Sequence, residues 1–218
     1  MSRIAVVGGH GQVARHLLVA LRRSEHDPVA LVRREEYRAE LESRGAEVRL
    51  LDIEREDAAA FAGVFEGCDA VVFAAGGGPD GNRERKRTVD LEGSLKSIEG
   101  AQKAGIDRFV QVSSINADAP LAPDTSDVWR AYIEAKRDAD AALRASGLAW
   151  TIIRPGRLTD DPATGLVSLG PDLGGGDVTR ADVAAVLAAV LDAPGTVGKQ
   201  WDLVNGDVPV AEAVSAAT

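Results

Sequence analysis

Tyr132 and Lys136 stand four residues apart in a stretch with helical patterning, which puts a phenol and an ammonium on one helix face. A cation so placed favours phenolate, and a phenol assisted in this way can exchange a proton with a substrate oxygen. A second pattern lies roughly 120 residues earlier. Gly8-Gly9-His10-Gly11-Gln12-Val13-Ala14 directly follows the apolar run Ile4-Ala5-Val6-Val7. A strand that breaks into a glycine-rich turn and opens a helix builds an anion site from backbone N–H groups and the helix dipole. Gly8 permits the tight turn, Gly11 the approach of backbone to a pyrophosphate, and Ala14 close packing of helix on strand. In this order the two patterns point to a nucleotide-cofactor enzyme that moves hydride and proton.

These groups need a scaffold, and the chain supplies one. Short runs rich in Val, Ile, Leu and Ala at 3–7, 28–32, 46–51, 69–74, 107–112 and 149–153 predict strands, with a seventh at 200–204. Helices are expected at 11–23, 35–44, 55–63, 85–104, 127–146 and 180–192, with Gly105 and Gly147 ending two of them. Alternation of this kind predicts a doubly wound parallel sheet in an α/β domain. Two glycine-rich segments, 76–82 and 160–177, follow strand ends where open sheets bind ligands, and the second reads as one long loop.

Composition narrows the function. With 218 residues and 45% hydrophobic content, the chain suits one domain spanning 1–218, with substrate-side elements at about 154–178 and 205–218. One cysteine, Cys68, rules out an intrachain disulfide, and a cytoplasmic location is expected. The net charge of −9 argues against nucleic acid, and no apolar run is long enough for a membrane helix. The basic run Arg83-Glu84-Arg85-Lys86-Arg87 reads as a solvated helix start, with an anionic cofactor or substrate as the sharper alternative. His10, His16 and His26 have no metal-ligand spacing, so no metal is expected; His10, inside the glycine turn, is placed for a phosphate contact. The three tryptophans read as packing residues.

The end of the second strand addresses which nucleotide binds. An acid there suits the ribose 2′-hydroxyl of NAD, whereas arginine suits a 2′-phosphate. The chain reads Ala30-Leu31-Val32-Arg33-Arg34, so NADP is expected over NAD, with Arg33 and Arg34 as its readers. Asp52 and Ile53 are expected to bound the adenine pocket, and Ala74, Ala75 and Gly76 to let the backbone approach the adjoining ribose.

With Val112-Ser113-Ser114 and Ile153-Arg154-Pro155-Gly156 added to these motifs, the chain resembles the short-chain dehydrogenase/reductase superfamily from about Met1 to Asp207. Its short length, Ala104–Val110 and Thr179–Ala184 look most like the atypical NAD(P)H-binding branch, with proteins similar to flavin reductase/biliverdin reductase B and epimerase/dehydratase-like members. The resemblance implies a Rossmann-type fold with a small C-terminal cap, and an NADP-dependent oxidoreductase acting on a small carbonyl, quinone or flavin-like substrate. Tyr132 would exchange the proton and Lys136 would bind the nicotinamide ribose. Ser114, or secondarily Ser113, would hold the substrate oxygen. Pro155, Gly156 and Arg157 mark where the nicotinamide amide or a substrate carboxylate would dock. One departure stands out: where many relatives carry Asn in Val-Asn-x-x-Gly, this chain has Asp90 in Val89-Asp90-Leu91-Glu92-Gly93, so Asp90 either pairs with Lys136 or faces solvent. Rival readings are an NADPH-occupancy sensor that contacts a protein partner and a sugar epimerase or dehydratase. The spacing of Tyr132 and Lys136 alone also fits a packed tyrosine beside a solvated lysine. A monomer or homodimer is expected.

Overall fold

The computed structural model describes residues 1–78 and 81–218; Pro79 and Asp80 of the expected glycine-rich segment lie outside the described residues. The first six strands are β1 (Arg3–Val7), β2 (Asp27–Val32), β3 (Glu47–Leu50), β4 (Ala70–Phe73), β5 (Arg108–Val112) and β6 (Ala149–Pro155). Further on come β7 (Arg157–Thr159), β8 (Leu166–Gly170), β9 (Asp177–Thr179), β10 (Lys199–Asn205) and β11 (Val208–Pro209). Among the described residues, nine strands form one sheet in the order β11-β8-β10-β6-β5-β4-β1-β2-β3, and β7 pairs with β9 separately. From β3 to β10 every neighbouring pair is parallel; β8 and β11 add an antiparallel edge. The chain reverses its winding between β1 and β4, and in such sheets ligands bind beyond the strand C-termini at that point.

Helices α1 (Gln12–Arg23), α2 (Arg38–Ser43), α3 (Ala58–Phe65), α4 (Arg83–Arg85), α5 (Glu92–Lys103), α6 (Asp127–Ala145), α7 (Arg180–Asp192) and α8 (Val210–Ala217) cover both faces. Alternate strand residues feed two cores. Ile4 and Val6 face Leu17 and Leu21 of α1 and Val186 of α7. Ala5 and Val7 face Phe61 and Phe65 of α3, Ile98 of α5 and Leu143 of α6. Strands buried on both sides are apolar nearly throughout, which is why residues 4–7, 29–32 and Ala70–Phe73 read as unbroken runs.

Local signals place the helix ends. Gly105 and Gly147 take the left-handed conformation (φ 70° and 79°) just after α5 and α6. The Ser126 hydroxyl accepts from the Trp129 N–H at 3.4 Å and caps α6. Thr179 caps α7, and the Asp182 carboxylate accepts from Thr164 N (3.0 Å) and Gly165 N (2.8 Å), fastening the approach to β8 onto that helix.

Three expectations need correction. Residues 160–177 are not one structureless loop, because β8 lies within them and Asp177 opens β9. Their pairing partners, β10 and β7, lie elsewhere in the sequence, and the surrounding Gly and Pro mask the strands. Residues 35–44 begin with a 3-10 turn, Glu35–Tyr37, before α2. The expected helix 85–104 is α4 and α5 joined by a π-helical turn, Lys86–Leu91, which aims side chains at α6. The C-terminal helix α8, unanticipated, packs Ala213 and Val214 into the core beside α7. No helix among the described residues is long and apolar enough to cross a membrane.

Candidate active site

The glycine turn sits at the C-terminal end of β1, and its conformation requires glycine. Gly8 has φ +81°, and a Cβ there would lie 2.7 Å from the Ala75 Cα. Gly9 packs against Ala30, while the Gly11 N–H bonds the Gly8 carbonyl at 2.8 Å and opens α1 as its N-cap. Among the described residues no side chain caps α1, and no acid occupies its first turn, so its leading N–H groups stand uncompensated beside the cleft. Gln12 is exposed at the first helical position, and the Val13 side chain belongs to the core.

A cleft of about 260 Å³ opens beside this turn. Gly8, His10, Gly11, Arg33, Asp52, Ile53, Ala74, Ala75 and Gly76 line it, so the elements after β1, β2, β3 and β4 meet there as their order requires. Tyr37, Glu54, Arg85 and Val89 also line it and escaped the sequence reading. Arg85 belongs to the basic run for which a solvated helix start and an anionic cofactor or substrate are the two readings, and its place in the cleft wall suits the second; Glu54 lies one residue past Ile53. The His10 ring stacks on Tyr37 with centroids 3.6 Å apart and contacts Glu40 at 3.2 Å. Arg33 and Arg85 flank Glu54 at 3.8 and 3.7 Å. Arg34 is absent from the cleft wall; it bonds Glu36 at 3.0 Å and lies near the Tyr37 ring. The cradle free of Cβ atoms, the uncapped helix and an arginine at the β2 end fit a dinucleotide.

The second centre adjoins the first. The Lys136 ammonium lies 3.2 Å from Asp90 Oδ1, and both side chains are almost fully buried, at 6% and 1% exposed. Asp90 Oδ2 accepts from the Gly77 N–H at 2.8 Å, next to Gly76 in the cleft wall. Lys136 also donates to the Val112 carbonyl at 3.2 Å, where β5 runs into Ser113 and Ser114. Its ammonium stands 5.8 Å from the Tyr132 ring centroid. Burial alone lowers the Lys136 pKa, but the charges of Asp90, Tyr132 and Asp140 outweigh it and hold the group above its ordinary value. The contacts from Gly77, next to the cleft wall, through Asp90 and Lys136 thus run from the edge of the cleft to the Tyr132 ring. Of the two expectations for Asp90, pairing with Lys136 is what the structure has.

The serines differ. Ser113 donates to Asp140 Oδ2 at 2.7 Å within a buried network in which Gln111 and Arg154 also bond that carboxylate. Among the described residues the Ser114 hydroxyl has only a 3.4 Å contact to the Ile115 carbonyl, which leaves it the freer of the two. Burial pushes the Asp140 pKa up, against the pull of Arg154, Ser113 and Gln111. Arg154 also meets Asp118 at 2.8 Å. Around the β6 end, Pro155 closes the strand, and a Cβ on Gly156 would lie 2.2 Å from the Gly176 carbonyl, so that glycine serves chain packing. Arg157 pairs with Asp177 across the β7–β9 ribbon, with its side chain 76% exposed.

Comparison with known proteins identifies the family and the fold. The NAD(P)H-binding family model matches residues 8–194, and the chain belongs to that family. The Bacillus subtilis protein named "Uncharacterized sugar epimerase YhfK" is 40% identical over 215 residues, covering 97% of this chain and 98% of its own. A solved structure from Bacillus halodurans, named "Putative NAD-dependent epimerase/dehydratase", superposes with a TM-score of 0.93 at 41% identity over 99% of this chain and 100% of its own. ChuY, an anaerobilin reductase of Escherichia coli O157:H7, has a TM-score of 0.76 at 25% identity over 95% of this chain and 98% of its own. The chain has the Rossmann-like α/β fold, and the proteins it is similar to carry both epimerase and reductase names.

Proposed function

We propose that this protein is an NADP-dependent oxidoreductase that reduces a small carbonyl, quinone or flavin-like substrate, with Tyr132, Lys136 and Ser114 carrying the proton chemistry. The observation that supports it best is the buried Asp90–Lys136 pair, which holds an ammonium beside the Tyr132 ring and is tied by Gly77 to the cleft. A reduced nicotinamide, when bound, supplies hydride to the electrophilic centre. Tyr132 donates its phenolic proton to the substrate oxygen, and Lys136 stabilises the negative charge left on the phenol. The Ser114 hydroxyl donates to the same oxygen and orients it. Asp90 acts through Lys136: its carboxylate fixes the ammonium and offsets the cost of burying it. Arg33, at the β2 end and flanking Glu54 in the cleft, is the residue for a 2′-phosphate.

The test has two readouts. NADPH is expected to raise the melting temperature of the wild type and of Tyr132→Phe alike. NADPH oxidation, screened against flavins, quinones, aldehydes and ketones, is expected with the wild type and abolished in Tyr132→Phe. Undiminished turnover by Tyr132→Phe removes the phenol from the mechanism. Cofactor binding without turnover of any compound favours the sensor reading.

A further inference from the structure

The run Arg83–Arg87 is not one solvated face. Arg83 pairs with Asp127, and Arg87 pairs with Glu84 and Glu92, all exposed. Lys86 turns the other way and is 6% exposed. It opens the π-helical turn, and Asp90 follows four residues later on the same turn. The wide hydrogen-bond spacing of a π turn brings residues i and i+4 close to one line, and such turns concentrate at functional sites. On α6, Tyr132 and Lys136 have the same spacing, so two pairs face each other across the helices. Asp90 meets Lys136, and the Lys86 ammonium stands 5.9 Å from the Tyr132 ring centroid.

The two rungs differ in charge balance. Lys136 has a carboxylate; among the described residues Lys86 has only the Gly78 carbonyl as hydrogen-bond acceptor, besides the face of the tyrosine ring. An ammonium carries three donors, and burying it without a counter-charge is costly. A neutral carbonyl satisfies one donor, and among the described residues no carboxylate forms an ion pair with this ammonium, the nearby Asp90 being paired with Lys136.

We propose that Lys86 is a substrate-binding residue that pairs with a carboxylate or phosphate on the substrate, so that the oxidoreductase reduces acidic rather than neutral carbonyl compounds. The inference rests on the oxidoreductase reading, which places the reacting carbonyl at Tyr132. It explains why a cation is kept at a position whose helical neighbours, Arg83 and Arg87, are matched by acids. An anion on the substrate would also fix which face of the carbonyl meets the phenol, because Lys86 approaches the ring from the π turn.

The probes are 4-formylbenzoate and its neutral methyl ester, two aldehydes that differ in one charge. Binding of each to the protein saturated with NADP⁺ is followed by tryptophan fluorescence, since Trp129, 53% exposed, lies 5.2 Å from Tyr132 in ring centroids. NADPH binding is measured first: if it fails in the wild type, the oxidoreductase reading itself falls. With the cofactor bound, the wild type is expected to prefer the carboxylate about ten- to a hundred-fold, the scale of a hydrogen bond to a charged group. Lys86→Gln, which keeps a donor for the Gly78 carbonyl but no charge, is expected to bring the ratio near one while leaving NADPH affinity and ester binding unchanged. Lys86→Arg, which keeps the charge, is expected to retain a preference. An unchanged ratio in Lys86→Gln, or no binding of either aldehyde to the NADP⁺-loaded wild type, overturns the proposal.

Discussion

Replacing Lys136 with methionine tests the buried pair without any substrate. The wild-type ammonium sits 3.2 Å from Asp90 Oδ1, and neither partner reaches water. Removing the cation leaves a carboxylate whose one hydrogen bond among the described residues is from the Gly77 N–H at 2.8 Å. Breaking a buried pair from one side costs about 3–5 kcal/mol. At about 2–4 °C per kcal/mol for a chain of this size, the melting temperature should fall by roughly 6–20 °C. Asp90→Asn keeps an acceptor for Gly77 but leaves the Lys136 ammonium buried without its counter-charge, so it too should cost about 3–5 kcal/mol. The double variant Asp90→Leu/Lys136→Met should be at least ~2 kcal/mol more stable than the two single changes predict together, because no orphan charge remains. Urea unfolding of the cofactor-free proteins, followed by circular dichroism, measures the wild type, Lys136→Met, Asp90→Leu and the double variant that close the cycle, with Asp90→Asn beside them.

The pH dependence of the Lys136→Met cost has a definite sign. Burial pulls the Lys136 pKa down, but Asp90, Tyr132 and Asp140 raise it overall. A lysine whose folded-state pKa is raised contributes its full stability below the unfolded value near ~10.4 and loses it as pH climbs through the folded one. The cost should therefore be level from about pH 6 to about pH 9 and shrink only in strong alkali. A loss under ~1 kcal/mol, or strict additivity in the double variant, refutes the claim that Asp90 holds this ammonium in place.

The remaining predictions concern the cofactor cleft and the scaffold. Arg33→Glu should weaken NADPH about 10- to 100-fold in titrations by cofactor fluorescence while changing NADH little; equal losses refute 2′-phosphate recognition. Gly8→Ala forces a left-handed residue against the Ala75 Cα at 2.7 Å. It should cost about 2–4 kcal/mol and reduce cofactor affinity, and a variant that melts like the wild type would count against the turn as described. Asp182→Ala strands the Thr164 and Gly165 N–H groups, which now donate to its carboxylate at 3.0 and 2.8 Å. The expected loss is about 2–4 kcal/mol, read by thermal melting, with little change in cofactor affinity.

Much of this protein was written locally. Strands buried on both faces are apolar nearly throughout, so residues 4–7 of β1, 29–32 of β2 and Ala70–Phe73 of β4 appear as uninterrupted runs. The glycine turn is equally legible, since its backbone needs a residue without a Cβ at Gly8 whatever surrounds it. The 3.6-residue helical period places Tyr132 and Lys136 on one face from spacing alone. What the chain could not show in one dimension was set by partners far away in sequence. Strand β8 exists because β10 and β11 pair with it, although its flanks read as loop. Whether Asp90 met Lys136 or solvent, and whether Lys86 faced water with its arginine neighbours, depended on the π turn. That turn forms where the helix packs on α6, and a hydrogen-bond register set by tertiary packing leaves no periodic signature in the residues themselves.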